Sequence, residues 1–277
     1  WHEPTCSIVY LPHLDYCLQK FGPNAPQVFP ELRAIDAEIE RLVTHFESRD
    51  VQVILLSEYG ITRVTRPVHL NRVLRQAGMI GIRDELGREL LEPGDSRAFA
   101  VADHQVAHVY VRDPADVDAV RQIVKRVPGV GRVYAGRERR EIGLDHPRSG
   151  ELVVLSEPEA WFTYYYWLDD AKMPDFARTV DIHRKPGYDP AELFIDPSIR
   201  VPVWTMGRKL ILKKLGFRTL MNVIPPEAGL VRGSHGLCPG TADESPIIVS
   251  KSGELIGGDS LADTDVRDLV LRHAGLL

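Results

Sequence analysis

The chain has little cysteine, no long apolar run, no excess of basic charge and no internal repeat, and each deficit removes a class of protein. Its three cysteines, Cys6, Cys17 and Cys238, cannot all pair with one another and show no C-x-x-C spacing. That argues against a disulfide-stapled scaffold or a zinc knuckle. No apolar run reaches the roughly 18 residues of a membrane-spanning helix. A formal net charge of -5 leaves no basic footprint for nucleic acid. Low-complexity tracts and clear linkers are absent as well. The sequence opens on Trp1 without a methionine, a charged n-region or an apolar h-region, so no secretory signal is legible and a cytoplasmic protein is expected.

What is present suits one sizeable core. At 277 residues and 44% hydrophobic, the chain sits near the upper end of a single domain. Thr5 to Leu11 (TCSIVYL) and Val51 to Leu56 (VQVILL) read as short buried strands. Between them Leu32, Ile35, Ile39, Leu42, Val43 and Phe46 recur at helical spacing, which completes a βαβ unit. A right-handed crossover makes those strands parallel and sets Asp15 and Glu58 just beyond their carboxyl ends, where open α/β folds bind ligands. A second helix is predicted over Pro67 to Ala77, stopped by Gly78.

Beyond it, Ser96 to Arg112 reads as two β segments, and Asp113 with Pro114 caps a helix reaching about Arg126. Gly129 to Tyr134 then leads into the charged stretch Gly136 to Glu141. Residues 96–150 are thus expected to form an inserted α+β lobe. Leu152 to Leu155 is a further strand. The aromatic run Trp161 to Trp167 is expected to alternate between core and surface, though it could also stack a base. Asp181 to Asp196 is a surface or functional loop, Met206 to Leu215 a short basic helix, Pro246 to Ser250 a late strand, and Asp263 to His273 a terminal helix. The predicted fold is α/β, a mostly parallel central sheet flanked by helices in one domain of residues 1–277.

Three segments carry chemistry: PHLDYCLQKFGP ending at Pro23, SEYG ending at Gly60, and RGSHG from Arg232 to Gly236. Carboxylates and imidazoles on loops at strand ends can hold divalent ions, which activate a nucleophile and stabilise a departing oxygen. The three segments resemble those of the alkaline phosphatase superfamily, in its type I phosphodiesterase and nucleotide pyrophosphatase branch. There a loop of the form PDxxxHxxGP, a strand ending SDHGM and a GSHG segment supply metal ligands. By that resemblance Asp15 stands at the aspartate, Gln19 at the histidine, and Gly22 and Pro23 at the closing pair. Glu58 and Tyr59 replace the aspartate and histidine of the second segment, and His235 is matched without change.

The resemblance implies metal-dependent hydrolysis of a phosphodiester, pyrophosphate or phosphonate bond in a small phosphorylated substrate. Two zinc ions are expected, with manganese or magnesium as alternatives, and Asp15, Glu58 and His235 as ligands. The family's nucleophilic threonine and a further metal-binding aspartate precede the PDxxxH segment, so they are expected upstream of Trp1, in a longer protein of which this is the C-terminal part. The altered ligands leave a second reading open, a pseudo-enzyme that binds a phosphorylated or prenylated metabolite.

His13 shares a face with Asp15 in an extended segment and could replace the lost imidazole. Asp181, His183 and Asp189, with Lys185, form either a second site or a solvated loop. Arg232 could grip a phosphate through its planar fork. His104 and His108 would align on a helix, but their Val and Ala neighbours indicate strand, so the pair is set aside.

Overall fold

A computed structural model describes residues 4–277. The strongest periodicities give the elements they predict. Leu32 through Phe46 lie on the helix Val28–Glu47, which buries Ile35. Asp113 accepts a hydrogen bond from the Ala115 amide, and Pro114 opens the turn leading into the helix Val117–Lys125. The two β segments are the strands Ala98–Asp103 and Val106–Val111, joined by His104 and Gln105 alone.

Val106–Val111 also pairs with Leu152–Ser156, which in turn pairs with Val130–Ala135, so four strands make one antiparallel sheet. Its inner face packs Ala100, Ala102, Val109 and Val154 against Leu70 and Leu74 of the helix Leu70–Gln76 and Val120 and Val124 of the helix after Asp113. The whole run Trp161 to Trp167 is buried, at most 3% exposed. Alternation fails because its strand, Ala160–Phe162, ends at once and the chain continues through the interior. The Asn71 amide holds that passage in place, donating to the Ala100 and Tyr164 carbonyls at 2.8 and 3.3 Å.

A mostly parallel central sheet does not form among the described residues. Thr5 to Leu11 takes no strand structure, since no backbone lies alongside to pair with it, and Ile8 is 93% exposed. Ile54–Leu56 pairs antiparallel with Ile248–Ser250 instead, so the expected βαβ crossover is not realised. The parallel strand pair is Arg66–Val68 with Ala160–Phe162. A hairpin that periodicity did not announce joins Gly81–Glu85 to Arg88–Glu92. Leu86 and Gly87 at its tip both have positive φ, the tight-turn geometry that fits strand twist.

Candidate functional site

The segment expected to be a loop after the first strand is a helix, His13–Phe21. Asp15 lies in its first turn, where a carboxylate complements the positive end of the helix. Gln19, four residues on, shares that face, and its Nε2 donates to Asp15 Oδ2 at 2.9 Å. The helix ends at Gly22, whose φ of 84° favours glycine and whose amide donates to the Leu18 carbonyl at 2.8 Å.

The strand Gly233–Ser234 crosses this helix end closely. Arg232 N donates to the Gln19 carbonyl at 2.9 Å, and a Cβ at position 233 would sit 2.3 Å from the Leu18 oxygen. The glycines of FGP and RGSHG therefore let two distant segments meet backbone to backbone. Thr62–Arg63 pairs antiparallel with Gly233–Ser234 and draws the SEYG segment over the same place.

Six side chains close into a ring. The Tyr59 hydroxyl donates to Asp15 Oδ1 at 3.2 Å, and the Tyr59 ring stacks on His235 with centroids 3.6 Å apart at 11°. His235 lies against His104 at 3.8 Å, and His104 against Tyr188 at 4.4 Å. The Tyr188 hydroxyl donates to Gln19 Oε1 at 3.4 Å, and Gln19 returns to Asp15. Gln19 and His104 lie buried at the back, while Asp15, Tyr59, Tyr188 and His235 are half-buried at the surface.

Burial, with a smaller contribution from His235, pushes His104 down to about 3, so it stays neutral; its Nδ1 is 3.2 Å from Ser234 Oγ. His235 is also lowered by burial, against the opposing pull of Asp15, Asp103 and Glu58. Burial, then the Asp15 charge, raises the Tyr59 hydroxyl. Tyr188 is raised chiefly by burial. Both phenols therefore remain protonated donors, and the ring is a set of neutral groups around one carboxylate.

Two ring members were not singled out from sequence. The Val and Ala neighbours that set His104 aside with His108 do indicate strand, yet His104 occupies the first position of the two-residue hairpin loop with φ 56°. That backbone region favours glycine, and Leu86 adopts it at the same position of the other hairpin; here it brings the imidazole against His235 and Tyr188. His108 stays in its strand, where Nδ1 accepts from the Gly150 amide at 3.2 Å. Tyr188 adjoins Asp189 in the loop read as functional, and its amide donates to the Ala102 carbonyl at 2.9 Å, beside the hairpin.

Of the remaining sequence candidates, Glu58 is exposed and reaches the ring only through its charge on His235 and Tyr59. His13 faces the neighbouring helix, its Nε2 2.6 Å from Glu31 Oε2. His183 is exposed, and Asp181 lies 3.9 Å from Arg184. Asp189 is buried, with Lys185 2.7 Å from both it and Glu192, and it caps the turn Pro190–Leu193 through the Ala191 amide. Arg232 is exposed, next to Gly22 at the end of the helix His13–Phe21.

Among the described residues no three His, Cys, Asp or Glu side chains gather to hold an ion. The donor chemistry agrees. Gln19 turns its NH2 toward Asp15, where a cation would need a lone pair. Tyr59 donates to the same carboxylate and covers one face of the single imidazole on that side. This donor set does not fit a pair of metal ions.

The profile of the type I phosphodiesterase / nucleotide pyrophosphatase family matches residues 2–189, more than half of the chain. The chain belongs to that family, and with it to the alkaline phosphatase superfamily. RGSHG lies past the matched residues. Structural likeness extends further. An inactive variant of murine ectonucleotide pyrophosphatase / phosphodiesterase 5, in complex with AMP, aligns at TM-score 0.52 and 14% identity over 95% of this chain and 52% of that one. The human protein aligns at TM-score 0.53 and 13% identity with the same shares. At such identity the likeness concerns the fold alone, and this chain spans about half the length of those proteins. No curated protein matches it in sequence. Among the described residues no helix is long and apolar enough to cross a membrane.

Proposed function

We propose that this chain is a ligand-binding member of its family, one that receives a small phosphorylated or prenylated metabolite without a metal pair at the ring. The observation carrying this reading is the closure of Asp15: Gln19 and Tyr59 stand where the resemblance assigned metal ligands, and both spend their hydrogens on its carboxylate. The half-buried edge of His235 and the exposed Arg232 guanidinium remain to meet a phosphoryl oxygen. Charge-assisted hydrogen bonding from Arg232 then does the anchoring, and the His104–Ser234 contact fixes the imidazole plane behind it.

AMP and inorganic phosphate are suitable probes. Titration calorimetry in the presence of a chelator should give measurable AMP binding that weakens at least about tenfold, about 1.4 kcal/mol, in His235→Ala and in Arg232→Ala. Failure of both probes to bind, or binding that appears only with added zinc, sinks the reading.

A second reading is metal-dependent hydrolysis of a phosphodiester, pyrophosphate or phosphonate bond. Family membership favours it, as does the gathering of Asp15 and His235 around one tyrosine, Asp15 at its hydroxyl and His235 on its ring face. Asp15, Glu58 and His235 would be its ligands and zinc its expected ion, manganese or magnesium the alternatives; Tyr59 and Gln19 stand against it. On the first reading residues 1–277 release no nitrophenol from a nitrophenyl phosphodiester with or without added metal, and robust metal-dependent turnover would establish the second.

Two coarser points complete the proposal. Residues 96–150, with the helix Val117–Lys125 and three of the four antiparallel strands, are read as a lobe inserted into a single domain. A cytoplasmic setting is consistent with Cys6, Cys17 and Cys238 all being free thiols.

A further inference from the structure

From Pro197 to Pro226 the sequence holds six basic residues, Arg200, Arg208, Lys209, Lys213, Lys214 and Arg218, and no Asp or Glu, in a chain of net charge -5. The helix Pro202–Lys214 runs through this stretch and buries none of its residues. Its inner side is only partly covered. Met206 packs against the small cluster of Ala191, Val223 and Ile224, and Lys209 Nζ donates to the Leu220 carbonyl at 2.9 Å.

The helical repeat puts Trp204 and Ile211 across the helix from Met206, with Leu215 just past the end, while Val203 and Leu210, three and four residues from Met206, stand between the two sides. These side chains stand clear of the surface: Val203 is 78% exposed, Trp204 67% and Ile211 63%. Phe217 continues the ridge. Arg218 reaches Asp175 at 3.6 Å, whereas among the described residues no carboxylate pairs with Arg208, Lys213 or Lys214.

We propose that this helix seats the protein on an anionic lipid bilayer, lying in the interface rather than crossing it. The charge is complementary: Arg208, Lys213 and Lys214 stand among the exposed apolar side chains without an ion-pair partner among the described residues, and residues 197–226 contain no acid. The shape is right as well. Large apolar side chains, tryptophan among them, project from the surface, which suits the boundary between head groups and acyl chains. A cleft of about 150 Å³ beside the ridge, lined by Trp204, Arg208, Lys209 and Thr219, is large enough for a lipid phosphate. This inference is independent of the ring and of whether it binds metal.

Vesicle sedimentation of the full chain tests it, with phosphatidylcholine alone compared with phosphatidylcholine containing about a quarter phosphatidylglycerol. Binding should favour the anionic vesicles by about tenfold or more and fall in roughly 0.5 M salt. The double variant Lys213→Glu with Lys214→Glu should lower it about tenfold. Ile211→Ser should lower it without changing the far-ultraviolet circular dichroism. Brominated lipid should quench the wild-type tryptophan emission more than that of Trp204→Phe, since Trp1, Trp161 and Trp167 are common to both and the difference reports on Trp204. Absent binding, equal binding to both vesicles, or binding indifferent to these variants overturns the proposal. So does a ridge that captures polyglutamate but not lipid, which would make it a site for acidic protein.

Discussion

The interior around the four-stranded sheet and the flank made by residues 5–11, 54–56 and 247–250 start from the same kind of sequence and end differently. Leu152–Ser156 has a strand on each side and is almost wholly buried. Ile54–Leu56 has one strand beside it, Ile248–Ser250, and Leu56 and Val249 remain half exposed. Thr5 to Leu11, equally apolar and β-branched, has none and lies open. A β-prone run becomes a buried strand only where other backbones satisfy its amides and carbonyls. The ring of six side chains stands between these regions, with His104 and Tyr188 anchored on the sheet side and Asp15 and Tyr59 on the flank side.

The contrast can be broken most decisively by truncation. Trp161→Ala should cost roughly 3–5 kcal/mol in urea unfolding, whereas Ile8→Ala should stay within about 0.5 kcal/mol. A large loss at Ile8 would mean that the flank is held more tightly than its exposure indicates. Next in size is Gly233→Ala, which drives a methyl to 2.3 Å from the Leu18 carbonyl. It should cost about 1–3 kcal/mol and raise amide exchange at Gly22 and Arg232, where the two segments meet.

The pH dependence sharpens the same comparison. His104 and His69 are pushed down to about 3 and about 4, both first by burial. Unfolded, they take up protons near pH 6.5, while the folded chain does not, so the unfolded state binds more protons as pH falls and stability declines. Thermal midpoints should therefore drop steadily from pH 7 toward pH 4, and His104→Gln should flatten that slope. An unchanged slope would mean that His104 can charge in place. A small effect is expected of Tyr59→Phe, which keeps the stack on His235 and removes one donor to Asp15. About 1 kcal/mol or less is expected, with little change in the emission or exchange of the sheet region.

How far the sequence spoke depends on where the partners of each segment lie. The helix Val28–Glu47, the capped helix after Asp113, the two β segments and the Ile248–Ser250 strand were legible, because their signals are local: period, cap and turn. Asp15, Gln19, Tyr59 and His235 were legible as a group because their three segments resemble the family's metal-binding motifs, and the structure shows that the glycines in them permit close backbone crossings. Strand pairing was not legible, and the parallel sheet expected from it does not form among the described residues, since strand propensity says nothing of which backbone lies alongside. His104 was missed because its Val and Ala neighbours read as continuous strand, when the telling feature was its place in a two-residue turn. The helix His13–Phe21 was missed too; its apolar residues fall in a stretch too short for its period to stand out.

Zinc content measures the central claim most directly. After equilibration with zinc and dialysis, elemental analysis of the purified chain should find only substoichiometric metal, the same in wild type and in His235→Ala. About two equivalents in the wild type, lost when His235 becomes alanine, would contradict a ring closed by its own hydrogen bonds and restore the metal site.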